Sequence, residues 1–198
     1  MLWLADVNAW DQGAAARHAA WLGPGERARC ARFVRAERRC KFIAGRTLLR
    51  LMLGRLLEVA PATIELAERP GQAPSLLSAT NMPVGFSITH SGRWVACAAS
   101  SASAVGLDIE RVDNTRDVLA LAEQAFVAAG VQALRACKPA VLNAVFYRMW
   151  CAHEAAIKLG TQSSILYSFE PPGLACILAC AEPLATAPEL QQIRLNDF

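Results

Sequence analysis

No apolar run in the 198 residues reaches the roughly 20 needed to cross a bilayer; Gly173–Ala181 and Trp94–Ala99 are the longest candidates. A membrane span is therefore not expected. The start, Met1-Leu2-Trp3-Leu4-Ala5-Asp6, has no basic region and meets an acid at once, which is unlike a secretory signal and points to the cytoplasm. Histidine is scarce: only His18, His90 and His153 are present, none at H-E-x-x-H spacing, so zinc chemistry finds little support. The seven cysteines are odd in number and include no C-x-x-C pair, which favours reduced, mostly buried thiols over a disulfide framework. Charge is thin as well. With 19% charged and 54% hydrophobic residues, the chain has the balance of one that buries a core, not of a disordered one.

The charge that is present is unevenly spread. Up to Ser103 there are 13 Lys and Arg against 7 Asp and Glu; from Ala104 onward there are 7 against 10, so a half of charge +6 precedes one of −3. The small-residue run Ala98–Ala104 reads as the connection between them. A chain of this length accommodates one large domain or two small ones, and the division is placed at 1–103 and 104–198.

Between Arg27 and Arg55 ten Lys and Arg residues interleave with Phe33, Phe42, Leu48, Leu49, Met52 and Leu53 at helical spacing, predicting two amphipathic helices, the second from near Glu37. Such a face is either solvated or turned to an anion, the phosphates of a small ligand or of nucleic acid. Thr63–Leu66, Val84–Thr89, Arg93–Ala98 and Ala104–Glu110 read as strands. Helix is expected from about Arg116 to Leu134 and from Pro139 to Leu159, then strands at Ile165–Phe169 and Leu174–Cys180. The fold class is α+β, built as two halves of similar content.

Three clusters carry chemistry. In the strand Val105-Gly106-Leu107-Asp108-Ile109-Glu110, period two sends Asp108 and Glu110 to one side and Val105, Leu107 and Ile109 to the core. Two carboxylates so close call for a cation, and an oxygen-lined pair suits Mg²⁺, which keeps waters and binds phosphates; an ordinary exposed strand face is the alternative. On the helix Phe146–Lys158, the residues Tyr147, Cys151, Glu154 and Lys158 follow a stripe distinct from that of Phe146, Met149, Trp150 and Ile157. Glu154 and Lys158 could equally be a plain helix pair one turn apart. The strand Phe86-Ser87-Ile88-Thr89-His90-Ser91 ends in hydroxyls and an imidazole, which serve either a phosphate or local structure.

In that order and spacing, 18 residues from His90 to Asp108 and 44 from Glu110 to Glu154, the segments Ser87–Ser91, Gly106–Glu110 and Trp150–Lys158 resemble the three signature motifs of the 4′-phosphopantetheinyl transferases, most closely the larger, pseudo-dimeric type. The basic segments Glu26–Phe33 and Gly45–Arg50 are similar to that family's amino-terminal half. The resemblance implies two α+β halves with the active site in the cleft between them. It implies transfer of phosphopantetheine from coenzyme A to a serine of an apo carrier protein, with 3′,5′-ADP released. It makes Asp108, Glu110 and Glu154 the Mg²⁺ carboxylates, Glu154 also the group that deprotonates the serine, and Lys158 the cation on the phosphates. Thr89 and His90 match phosphate-contacting positions, and Arg29 and Lys41 those that hold the nucleotide 3′-phosphate. A monomer, without nucleic acid or membrane as partner, is implied. The alternatives are a non-catalytic anion or nucleic-acid binder and a Mg²⁺-dependent hydrolase of nucleotide pyrophosphates. The chain departs from the family at His153, where Lys is usual, at Glu26, where Lys is common, and in the loop Pro70–Pro74, where Gln72 stands in place of a basic residue.

Overall fold

Alternating small and branched residues decide how closely the layers of this molecule approach. The computed structural model describes residues 1–69, 73–77, 83–161 and 165–198. The first half runs β1 (Leu2–Asp6), α1 (Gln12–Ala19), α2 (Pro24–Ala31), α3 (Ala36–Leu57), the two-residue strands β2 (Leu66–Ala67) and β3 (Ser75–Leu76), β4 (Gly85–Ser91) and β5 (Trp94–Ser100). The second runs β6 (Val105–Arg111), α4 (Val118–Ala125), α5 (Ala128–Arg135), α6 (Pro139–Leu159), β7 (Ile165–Phe169), β8 (Leu174–Cys180) and β9 (Leu190–Ile193). The class is α+β, as expected from the sequence.

The strands form a four-stranded sheet of order β4-β5-β1-β9, a three-stranded sheet β6-β8-β7 and the small pair β2-β3. The two larger sheets lie face to face. Period two sorts their side chains: Leu2, Leu4, Ala96 and Ala98 of the first meet Val105, Leu107, Ile109, Cys176 and Leu178 of the second. The opposite face of the first sheet, with Trp3, Ala5, Val95 and Cys97, is covered by Leu48, Leu49, Met52 and Leu53 of α3. The opposite face of the second, with Ala175, Ile177 and Ala179, is covered by Phe146, Tyr147, Cys151 and Ala155 of α6. Each half thus contributes one sheet and one long helix, 22 residues in α3 and 21 in α6. Each fully buried Leu, Ile or Phe in these layers stabilises by about 1.5–3 kcal/mol relative to exposure.

Two glycines set the spacing between helix and sheet. A Cβ on Gly106 would stand 2.0 Å from the Ala155 carbonyl oxygen, and one on Gly45 would stand 2.8 Å from Ile88 Cδ1. Bare backbone at these points lets α6 descend onto β6 and α3 onto β4.

Four expectations change. Pro61–Thr63 forms a single 3₁₀ turn in which Thr63 Oγ1 donates to the Ala60 carbonyl at 2.8 Å, leaving only Leu66–Ala67 extended. The helix expected over Arg116–Leu134 is two helices, because Phe126 adopts extended backbone and turns its ring onto Phe146 and Trp150. Within the run Ala98–Ala104, Ala98 and Ala99 are buried strand residues, so the connection is only the turn that follows Ser100. Strands β1 and β9 escaped the sequence reading, and β9 pairs in parallel with β1, carrying a segment of the second half into the first sheet.

Candidate active site

The two sheets join where β4 runs beside β6, and hydroxyls make the joint. Ser87 Oγ accepts from the Leu107 N–H at 2.9 Å and Ser91 Oγ from the Arg111 N–H at 3.0 Å. The same row of β4 faces the acidic row of β6: Thr89 Oγ1 donates to Asp108 Oδ1 at 3.0 Å and Ser91 Oγ to Glu110 Oε2 at 2.7 Å. From α6, Lys158 Nζ donates to Asp108 Oδ1 at 2.7 Å and to the Leu107 carbonyl at 3.1 Å. The sequence therefore foretold the side of β6 on which Asp108 and Glu110 project. Asp108 is buried, and among the described residues its second oxygen, Oδ2, has no nitrogen or hydroxyl donor.

Burial raises the Glu110 pKa above the usual carboxylate range, with the Ser91 hydrogen bond opposing and the Asp108 charge reinforcing that shift. Burial, followed by the Asp108 charge, likewise pushes the Cys151 thiol up, so it stays protonated beneath the site. Glu154 lies one turn before Lys158 on α6, half-buried. Among the described residues no three His, Cys, Asp or Glu side chains stand close enough to form a ready metal cage. Even so, Asp108 and Glu110 fit a hard divalent cation: a buried carboxylate oxygen without a donor is costly unless a positive charge reaches it, and Lys158 satisfies only the other oxygen.

A cleft of about 640 Å³ opens beside this joint, lined from the first half by α2, α3, β4 and the segment after β2, and from the second by Ile157 and Lys158. Phe33, Phe42 and Phe86 give it apolar wall; Arg29, Arg38, Lys41, Arg46 and Arg69 give it positive charge, and His90 adds an imidazole. His90 has its pKa lowered, by partial desolvation first and then by Lys41 and Lys158. All five residues expected to hold a ligand, Arg29, Lys41, Thr89, His90 and Lys158, line this one cleft. Ile157, grouped with the apolar stripe in the sequence, is 60% exposed, whereas Tyr147 and Cys151 of the other stripe are core residues.

The arginine face is not a solvated surface throughout. Arg50 and Arg46 are 1% and 3% exposed and converge on Glu26, which is fully buried. Arg50 Nη1 donates to Glu26 Oε1 at 3.0 Å, and Arg46 Nε stands 3.2 Å from the same oxygen. Glu26 Oε2 also accepts from the Gly23 N–H at 2.8 Å, closing the first turn of α2. The departure at Glu26 is thus a structural counter-ion, not a cation missing from the cleft. Glu68 ties Arg29 Nη1 at 2.6 Å and also pairs with Arg46 Nη2. Sequence reasoning passed over Glu68; it read Phe42 only as an apolar helix residue and Ser91 only as part of the hydroxyl end of its strand. His153 is exposed, its ring edge-on to Phe126 at 6.1 Å. Gln72 lies outside the described residues.

Residues 8–102 match the family model described as 4′-phosphopantetheinyl transferase, N-terminal, and residues 104–177 match that of the 4′-phosphopantetheinyl transferase superfamily. The chain is 31% identical over 141 residues to the 4′-phosphopantetheinyl transferase HetI of Nostoc sp., covering 71% of this chain and 60% of HetI. It is 28% identical over 143 residues to the 4′-phosphopantetheinyl transferase Sfp of Bacillus subtilis, covering 72% of this chain and 61% of Sfp. A further Bacillus subtilis 4′-phosphopantetheinyl transferase is 30% identical over 134 residues, covering 67% of this chain and 57% of the relative. The chain thus aligns with about three fifths of the length of these relatives. Two consecutive matches, one to each half on either side of the turn after β5, show that the chain belongs to the 4′-phosphopantetheinyl transferase superfamily, in its larger type with both halves in one polypeptide.

Proposed function

We propose that the protein transfers 4′-phosphopantetheine from coenzyme A to a serine of an apo carrier protein, releasing 3′,5′-ADP. The observation that carries this reading is the union, in one cleft, of a cationic wall from the first half with Lys158 of the second, whose ammonium also reaches Asp108 at the adjoining β4–β6 joint. A diphosphate needs both cations around it and a place for a metal ion, and the two halves bring one each. In this reading residues 1–103 supply the nucleotide side and residues 104–198 the metal side, and the protein works as a cytoplasmic monomer without nucleic acid.

Asp108 and Glu110, joined by Glu154, would hold Mg²⁺, which when bound offsets negative charge on the diphosphate. His90 donates to the phosphate oxygens, Thr89 joins it by turning its hydroxyl proton away from Asp108, and Lys158, already held at 2.7 Å from Asp108, supplies a fixed positive charge beside the reacting phosphorus. Arg29 and Lys41 take the 3′-phosphate. Glu154 accepts the proton as the serine hydroxyl attacks the β-phosphorus, and the bond from that phosphorus to the bridging oxygen of 3′,5′-ADP breaks.

Incubation with coenzyme A, Mg²⁺ and apo carrier, followed by mass spectrometry of the carrier, tests the reading. A phosphopantetheine-sized gain on the carrier serine is the expected result. Cleavage of coenzyme A without carrier, or salt-sensitive nucleic-acid binding without any gain, overturns it. Running acyl and peptidyl carriers side by side identifies the pathway served.

A further inference from the structure

Phe42 and Glu68 form an arrangement that the transfer reading does not use. The Phe42 ring carries two guanidinium groups, Arg29 at 5.4 Å and Arg46 at 5.0 Å from its centroid, and packs 5.4 Å from the Phe33 ring. Glu68, in the chain that leaves β2, joins the same two cations with its two oxygens, Oε2 to Arg29 and Oε1 to Arg46. Each guanidinium is therefore fixed both by a carboxylate and by a ring face. Cation and ring attract because the quadrupole is negative over the face, and the charge-assisted hydrogen bond adds direction.

Two acids serve this arginine cluster, and they do different work. Glu26 is wholly enclosed and reaches Arg46 and Arg50, so it balances charge that the fold has buried. Glu68 keeps 15% of its side-chain surface and reaches Arg29, whose side chain is 41% exposed on the wall of the cleft. Arginine has five N–H donors, and the contact to Glu68 is made by Nη1 alone, which leaves donors free to face a ligand. An unsupported arginine at such a rim samples many rotamers and loses that freedom on binding. A supported one does not.

We propose, resting on the nucleotide reading above, that Glu68 is a positioning residue: with Phe42 it holds Arg29 in the orientation that takes a ribose 3′-phosphate, and so sets the preference for a 3′-phosphorylated nucleotide. The ligand class is an adenosine 5′-phosphate or 5′-diphosphate that carries an isolated 3′-phosphate.

Titration calorimetry of the full chain with 3′,5′-ADP and with 5′-AMP tests this on wild type, Glu68→Gln, Glu68→Asp and Phe42→Leu. Wild type prefers 3′,5′-ADP. In Glu68→Gln that preference falls about tenfold, the scale of one misplaced charge-assisted contact, while 5′-AMP binds as before or slightly better because a negative charge has gone. Glu68→Asp keeps the charge, and with it the fold, but is one methylene too short to span both guanidiniums, so it loses the preference as well. Phe42→Leu loses part of it. A fold-staple role alone would weaken both nucleotides together and leave the ratio untouched. Wild-type ratios in folded Glu68→Gln and Glu68→Asp would overturn the proposal, as would tighter 3′,5′-ADP binding in Glu68→Gln. A wild-type chain that binds the two nucleotides equally fails the 3′-phosphate reading itself, and this inference with it.

Discussion

The helix α3 and the helix α6 each cover one sheet from outside, and they treat charge in opposite ways. Helix α3 sinks two arginines into the core and surrounds them with acids from elsewhere, Glu26 on α2 and Glu68 after β2. Helix α6 buries apolar groups and a thiol against its sheet and sends one cation, Lys158, around to Asp108. In the first half positive charge is tied up in pairs, with a surplus lining the cleft. In the second, among the described residues, a buried carboxylate oxygen has no nitrogen or hydroxyl donor. A shared layering therefore does not dictate shared electrostatics: the same α-on-β scaffold holds a cation store on one side and an unmet anion on the other, and the difference between them is what a metal-bound diphosphate would complete.

The sharpest way to break the comparison is Glu26→Ala. It strands Arg50 inside α3 and leaves Arg46 with Glu68 alone, and removal of one partner from a buried pair costs about 3–5 kcal/mol, measured by urea unfolding. The same change in the second half has no counterpart, since no acid there is enclosed between two arginines among the described residues. Next in size, Asp108→Ala lowers turnover by about 10²-fold or more with the carrier assay and leaves the fold intact by circular dichroism. Near-normal turnover would remove Asp108 from the site.

A smaller effect separates the halves by pH. His18, on α1 between the rings of Trp10 and Trp21, has its pKa lowered by burial below the usual histidine value. Its unfolded form takes up a proton first, near pH 6.5, so it contributes stability that is present above that pH and lost as the pH falls below it. Thermal melts at pH 7.5 and 5.5 should show a larger acid loss for wild type than for His18→Asn. Smallest is His153→Lys: the side chain is exposed, its ring set against Phe126, so activity should hold or coenzyme A binding improve slightly, read as KM. A collapse of activity would give His153 a role of its own.

What could be read from the sequence follows from the range of the forces involved. The β6 strand and α6 were legible because period two and the Pro139 start are local signals, and of the motif residues, Thr89, Asp108 and Lys158 meet at one joint, whereas no contact brings Glu154 to the carboxylates among the described residues. The fates of Arg46 and Arg50 were not legible, because their partners lie 20 to 24 residues away and only packing brings them together. Strand β1 reads Leu-Trp-Leu-Ala with no alternation, being buried on both faces, and β9 has four residues, too few for a period. Phe126 broke a helix by tertiary preference, since its ring gains more in the aromatic cluster with Phe146 and Trp150 than in one continuous turn.

The β9 strand carries a mechanical consequence. Because it belongs by sequence to the second half and hydrogen-bonds to β1 in the first, it acts as a clasp across the two lobes. A hinge that swung the lobes apart would have to unzip that ladder, so rigid-body gaping is stiff. Admission and release at the cleft then fall to side chains on its rim, Arg38 and Arg69 among them, whose rearrangement belongs to the nanosecond scale and not to the slower one of domain motion.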